Sequence, residues 1–294
     1  MPKIYTLMFW TSILLALASL VLTLSFGLRL GVDFTGGSVL ELQFNQRPAV
    51  EDIQKALTSQ ITDPELNPVG DSGIIIKTHE LSEAQHQQVL NALEVAFPTA
   101  GLQEKKFDSV GPVIGNELKS RSITAIIIVL LAIIVYIAFV FRKIGRATSP
   151  WAMGLAAIVA LMHDVTIPLG VFALLGHFYG IEISGVFLAA ALTILGFSVS
   201  DTVVIFDRVR ENVIRRGSKE LFGRIVHTSV LQTLARSLNT VFTVLLSLFA
   251  IYFFGGESIK YFSLALIIGI FLGAYSSIFV ASPLLVWWTQ KRKA

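Results

Sequence analysis

Three ionisable residues stand inside long apolar stretches of this 294-residue sequence. A charged side chain there costs about 2.5–3.5 kcal/mol near the centre of a bilayer on insertion scales, so each needs a reason. Asp164 lies midway along Trp151–Leu175, Asp201 in the later half of Ile183–Phe206, and Arg236 early in Leu231–Phe254. An acid out of water favours its neutral form, whereas a guanidinium nearby favours the carboxylate, so the pair can exchange a proton when its surroundings change. A fixed ion pair, or an arginine reaching back to the interface, would use the same residues. With Arg236, the residues Asn239, Thr240, Thr243 and Ser247 fall on one helical face. A lipid-facing helix would not keep that stripe, so it is expected to point into a helix bundle, as polar contact between helices also would. Ser198 lies one turn before Asp201 on the same face, whereas Asp207, Arg208, Arg210 and Glu211 read as a structural charge cluster at a helix end.

His163 adjoins Asp164, but neighbouring helix positions diverge by about 100° and do not make a metal site unaided. A hydrogen-bonded or packed histidine is expected, with no metal and no cofactor. The absence of cysteine removes disulfides, thiolate metal sites and cysteine nucleophiles.

The elements that must position these residues follow from composition. At 54% hydrophobic and 15% charged, with a mean hydropathy of +0.71, the chain reads as an integral membrane protein. Its basic residues flank apolar runs, where membrane orientation explains them and nucleic-acid binding does not. Ile4–Leu28 carries no charge for 25 residues, too long for a signal-peptide core, and is read as a retained first span. Ile123–Phe141, Trp151–Leu175, Ile183–Phe206, Leu231–Phe254 and Tyr261–Trp288 supply five more, giving a six-helix membrane bundle.

Short loops with Lys and Arg stay in the cytoplasm. They hold Arg142, Lys143 and Arg146, then Arg208, Arg210, Arg215, Arg216, Lys219 and Arg224, and finally Lys291, Arg292 and Lys293. The opposite loops hold only Lys260, so both termini are expected in the cytoplasm. A reporter fused after Lys219 should therefore be cytoplasmic and one inserted near Asp71 should lie across the membrane; finding Lys219 outside would overturn the six-span reading. The domains expected are span 1 over 1–30, an outer domain over 31–119, spans 2–6 with their loops over 120–290, and a basic tail over 291–294.

The outer segment has its own pattern. Ser38–Phe44 alternates as a strand, and Pro48–Thr58 opens as an acid-rich helix. Glu65–Gly70 and Ile74–His79 flank Asp71-Ser72-Gly73 as a hairpin, Ser82–Phe97 starts on an N-cap serine, and Leu102–Asp108 closes as a strand. The order β-α-β-β-α-β predicts a small α+β ferredoxin-like domain. In the last span Ala265, Gly269, Gly273, Ser277 and Ala281 recur every four residues, a seam that lets helices approach closely.

Taken in order, certain runs resemble the SecF branch of the SecD/SecF protein-export family, within the resistance-nodulation-division superfamily. They are Gly31-Val32-Asp33-Phe34-Thr35-Gly36-Gly37, Val110-Gly111-Pro112-Val113-Ile114-Gly115, His163-Asp164-Val165, Ser200-Asp201-Thr202-Val203-Val204-Ile205-Phe206-Asp207-Arg208-Val209-Arg210-Glu211-Asn212, Gln232-Thr233-Leu234-Ala235-Arg236-Ser237 and Gly255-Gly256. The resemblance covers essentially the whole chain. Ala235 departs from a position that is often polar or His in relatives, and Val241-Phe242 interrupts a run richer in small and hydroxyl residues.

What the resemblance implies is a six-span subunit of the bacterial inner membrane. It would pair with a pseudo-symmetric SecD, associate with the SecYEG translocon and YajC, and use the proton-motive force to draw unfolded preproteins outward after SecA has pushed them. It also implies Asp201 as main proton carrier, Arg236 close by and Asp164 as a participant. Asp33, Phe34, Gly36 and Gly37 would form a hinge to the outer domain, with Gly111–Gly115 on its other side. No enzymatic activity is implied. A protease dyad of Asp164 and Asp201 is disfavoured because Val199 and Ser200, rather than a glycine motif, precede Asp201. A proton-coupled exporter of small molecules or lipids is the other alternative, although such exporters usually hold twelve spans in one chain.

Overall fold

The computed structural model describes residues 1–142, 144, 148–216 and 220–291, so Lys143, Arg146, Lys219, Arg292 and Lys293 of the orientation argument lie outside the described residues. The chain forms two compact units, one of Met1–Arg29 with Thr124–Ala294 and one of Leu30–Ile123.

In the smaller unit a short helix α2 (Val32–Thr35) precedes β1 (Gly37–Gln43), α3 (Val50–Leu57), β2 (Glu65–Val69), β3 (Gly73–Thr78), α4 (Glu83–Ala96) and β4 (Gln103–Val110). This is the order read from the sequence, with α2 added. The four strands form one antiparallel sheet in the order β2-β3-β1-β4. Alternation fixes which face is buried. Leu40 and Leu42 of β1 pair with Ile76 and Ile74 of β3 and pack with Ile53, Leu57, Val89 and Leu93 of the two helices. Helix α4 starts on a capping box in which Ser82 accepts from the Gln85 amide and Gln85 returns the bond, as the N-cap serine predicts. His86, buried one turn on, stacks on Phe107 of β4 with centroids 3.8 Å apart and lies 3.1 Å from Glu104, tying helix to sheet.

Among the described residues six helices are long and apolar enough to cross a membrane. They are α1 (Lys3–Phe26), α5 (Pro112–Val140), α6 (Pro150–Tyr179), α7 (Gly185–Arg216), α8 (Phe222–Phe254) and a sixth built of α9 (Glu257–Ser276) and α10 (Ser282–Lys291) around a wide π turn at Ser277–Ala281. Several run past the apolar stretches that betray them. Helix α5 opens at Pro112, pre-set for a first helical turn, so Pro112–Gly115 is the start of a continuous helix. Helix α7 continues through its charge cluster, where Arg208–Glu211 (2.6 Å), Arg210–Asp207 (2.8 Å) and Arg215–Glu211 (2.7 Å) pair along its own surface, as the structural reading of that cluster expects.

Spans 3, 4 and 6 make the centre, and small residues let them approach. A Cβ on Gly273 would come within 2.9 Å of the Ser198 Cβ, and one on Gly269 would collide with Ile194, so the span 6 seam seats on span 4. Gly170 of span 3 does the same for span 1, its missing Cβ lying 2.5 Å from Ser19 Cβ. Gly269→Leu should therefore lower the melting temperature in mild detergent by an amount corresponding to about 1–3 kcal/mol or more of overpacking. A melting temperature equal to wild type would show that the seam has room.

The wide turn has a covalent cause. Pro283 has no amide hydrogen, and its ring crowds the carbonyl four residues back at Phe279, so a regular α-turn cannot be closed there. The helix widens just upstream instead, and the Ser282 hydroxyl donates to the Ser277 carbonyl at 2.8 Å, satisfying an oxygen the widening exposes.

Candidate functional site

Asp164 is completely buried on α6, and each of its oxygens is engaged. His163 Nδ1 lies 2.9 Å from Oδ1, while the hydroxyls of Ser198 on α7 and Ser276 on α9 donate to Oδ2 at 2.5 and 2.7 Å. A neutral imidazole then carries its proton on Nδ1, which leaves Nε2 buried with no partner. Its ring stacks near Tyr275, whose hydroxyl donates to the Met8 carbonyl of α1 at 3.0 Å. Pro168, one turn on, denies the Asp164 carbonyl its helical donor. Neighbouring helix positions do meet here through their side chains. Four spans are thereby linked through one carboxyl and one phenol, and the expectation of a hydrogen-bonded histidine agrees with this geometry.

Asp201 is held differently. The Ser237 hydroxyl of α8 donates to Oδ1 at 2.5 Å, and Oδ2 is buried with no hydrogen-bond partner. Beside it, Thr202 shares a hydrogen bond of 2.7 Å with Ser277 at the start of the wide turn, and the Ser277 hydroxyl lies within reach of the Asp201 carboxyl. Arg236, next in sequence to Ser237, is within electrostatic reach. Ser198 does not serve Asp201 as its position one turn earlier suggested; it turns to Asp164. The two acids are held by different hydroxyls, which is not the shared-proton contact of a protease dyad.

The polar stripe of span 5 requires a correction. The buried face of α8 is Ser229, Val230, Thr233, Ser237, Val241 and Leu248, and Arg236, Asn239, Thr240, Thr243 and Ser247 are exposed on its flank. They do not point into the bundle of this chain. The hydroxyls of Thr240 and Thr243 bond back to the carbonyls of Arg236 and Asn239, which makes the stripe tolerable on an open helix face. The expectation that the stripe faces into this chain's own bundle is therefore overturned. Sequence reasoning also missed Ser237, Ser276, Ser277 and Thr202. The signal for Ser276 and Ser277 was present in a hydroxyl pair seven and six residues before Pro283 inside an apolar run.

The glycine motif after span 1 is a close-packed clasp. Phe34 is buried, Asp33 sits in the first turn of α2, and Gly36 and Gly37 have φ of 78° and 132°. A Cβ on Gly36 would come within 2.7 Å of Pro112 Cα, and one on Gly37 within 2.7 Å of the Thr78 carbonyl. Gly115 completes it against the Gly36 amide at 2.9 Å. Only glycine allows these three backbones to meet.

Comparison with known proteins agrees with the motifs. The family described as protein export membrane protein SecD/SecF, C-terminal, matches residues 91–291, and the SecD/SecF GG motif matches residues 21–46. The protein translocase subunit SecF of Thermobaculum terrenum is 43% identical, covering 95% of this chain and 90% of its own. That of Anaerolinea thermophila is 36% identical, covering 96% and 91%. Among solved structures, SecDF from Thermus thermophilus, described as a translocon-associated membrane protein, superposes with a TM-score of 0.81 at 31% identity. It covers 97% of this chain, which spans 38% of that longer one. SecDF in its super-membrane-facing form covers 96% at a TM-score of 0.67. The chain belongs to the SecD/SecF family.

Proposed function

We propose that this member of the SecD/SecF family works as a SecF-type subunit of the bacterial inner membrane. It pairs with SecD and uses the proton-motive force to assist the late stage of preprotein export through SecYEG, alongside YajC and after SecA. Its role is transport, not enzymatic catalysis. The observation that carries the reading is Asp201: a carboxyl inside a span with one oxygen held by Ser237, one oxygen without a partner, and an arginine within electrostatic reach. Such a group has an oxygen open to a proton, whereas both oxygens of Asp164 are already in hydrogen bonds.

In this reading Asp201 is the proton carrier, Arg236 its counter-charge and Asp164 a participant that holds spans 3, 4 and 6 around it. Both termini face the cytoplasm, the βαββαβ unit is a ferredoxin-like domain on the periplasmic side, and the glycine clasp at Asp33–Gly37 is where movement of the bundle reaches that domain. The exposed stripe of Arg236, Asn239, Thr240 and Thr243 supports the pairing with SecD. In hydrocarbon these groups need a protein cover, and the longer SecDF chain holds a further portion beyond the part matched here. The two SecDF structures fit this chain to different degrees, which supports an architecture with more than one arrangement. The test is gradient-dependent release of a preprotein into inverted membrane vesicles holding equal amounts of wild-type or Asp201→Asn protein.

A further inference from the structure

Span 6 touches both acids at consecutive residues. The Ser276 hydroxyl donates to Asp164 Oδ2 at 2.7 Å and also points at the Gly273 carbonyl, 3.1 Å away. The Ser277 hydroxyl donates to that same carbonyl at 2.9 Å, contacts Thr202, and stands within reach of Asp201. The Ser277 backbone amide donates to it as well. A carbonyl oxygen has two lone pairs, and here three donors address it. Ser276 and Ser277 are both fully buried, so no solvent can relieve the competition.

We propose that Ser276 and Ser277 are positioning residues that pass the charge state of Asp201 to the His163–Asp164 pair, exchanging donors at the Gly273 carbonyl. This rests on Asp201 being the proton carrier. When Asp201 is ionised, its unpartnered Oδ2 takes the Ser277 hydroxyl, as a buried carboxylate oxygen gains more from that donor than a neutral carbonyl does. The Gly273 carbonyl then has a free lone pair, and the Ser276 hydroxyl, already 3.1 Å from it, becomes shared between that carbonyl and Asp164, which weakens its bond to the carboxyl. Once Asp201 is protonated, Ser277 returns to Gly273 and Ser276 to Asp164.

The backbone is built to allow this. Immediately after the two serines the helix is already widened at Ser277–Ala281 by Pro283, so a small rotation there does not have to break a regular ladder. His163 reports the outcome, because the proton on Nδ1 is held by the same carboxyl whose bond to Ser276 strengthens or weakens, and Nε2 has no competing partner. The titratable groups nearest this pair are Tyr275 on span 6 and Asp201 on span 4, with the Arg236 charge beyond the latter.

The experiment reads the ring-nitrogen resonances of His163 in the full chain, isotopically labelled at histidine, assembled with SecD in lipid nanodiscs. The signal is assigned by its loss in His163→Gln. Wild type in alkaline buffer, which favours the carboxylate, and Asp201→Asn in the same buffer should give different His163 positions. Ser277→Ala should erase that difference, and Ser277→Thr, which keeps the hydroxyl, should restore it. Identical His163 signals in wild type and Asp201→Asn, or a difference that survives Ser277→Ala, would overturn the link. Failure of the carrier reading is separate: it appears as normal gradient-dependent release by Asp201→Asn, whatever the His163 signal does.

Discussion

Vesicles carrying Asp201→Asn are expected to contain as much assembled protein as wild type and to lose the gradient-dependent part of preprotein release. Asparagine keeps the size of the side chain and an oxygen for the Ser237 hydroxyl, now 2.5 Å from Oδ1. Its amide group occupies the position of Oδ2, which has no partner to lose, and the Ser277 hydroxyl can accept from it. What the substitution removes is the ability to change charge. One charge crossing the membrane potential supplies about 2.3 kcal/mol per 100 mV, and a side chain fixed at zero charge receives none of it.

The competing reading makes Asp201 one half of a buried ion pair. Leaving the other half uncompensated would then cost roughly 3–5 kcal/mol and show as poor accumulation, with recovery when Arg236→Met is added. The geometry argues against this, since Arg236 is exposed on the flank of α8 in this chain and is not a buried cation whose partner has been taken away. Abundant, assembled and uncoupled protein decides for the carrier. Normal stimulation by the gradient sinks it.

Much of this was legible from the residues because a membrane restricts the options. Apolar runs near the length of a bilayer gave six spans, and alternation with a serine cap gave the order of the smaller unit. The two acids declared themselves by standing where charge is expensive. The partners of those acids were not legible, because hydrogen bonding between spans depends on how helices rotate against each other, and a periodic stripe does not say which side is covered. The stripe beginning at Arg236 shares α8 with a second, less conspicuous set of small and hydroxyl residues, and it is the latter, through Ser237, that faces inward. Likewise Ser198 lies on the helical face of Asp201, yet its hydroxyl turns to Asp164 of span 3. The wide turn in span 6 is a consequence of Pro283, and a reading that counts only hydropathy passes over it.

The same contrast predicts that Asp164 responds to substitution unlike Asp201. Asp164→Ala strips the acceptor from His163, Ser198 and Ser276 together, all three nearly or wholly buried. Each abandoned donor costs about 1–3 kcal/mol in mutational data, and these three share one cavity, so the sum is not additive; a net loss of about 3–5 kcal/mol is expected. The protein should fail to accumulate, or melt far below wild type in detergent, before any question of transport arises. Stability should return when the donors are removed along with the acceptor, as in Asp164→Leu combined with Ser198→Ala and Ser276→Ala, because replacing all partners by apolar groups leaves nothing unsatisfied but the histidine. That combination should be stable and uncoupled, since neither the Asp164 carboxyl nor the Ser276 hydroxyl remains to respond to Asp201. If Asp164→Ala instead accumulates and melts as wild type does, the three hydrogen bonds contribute nothing to holding spans 3, 4 and 6 together, and the buried acid must be explained by proton exchange alone.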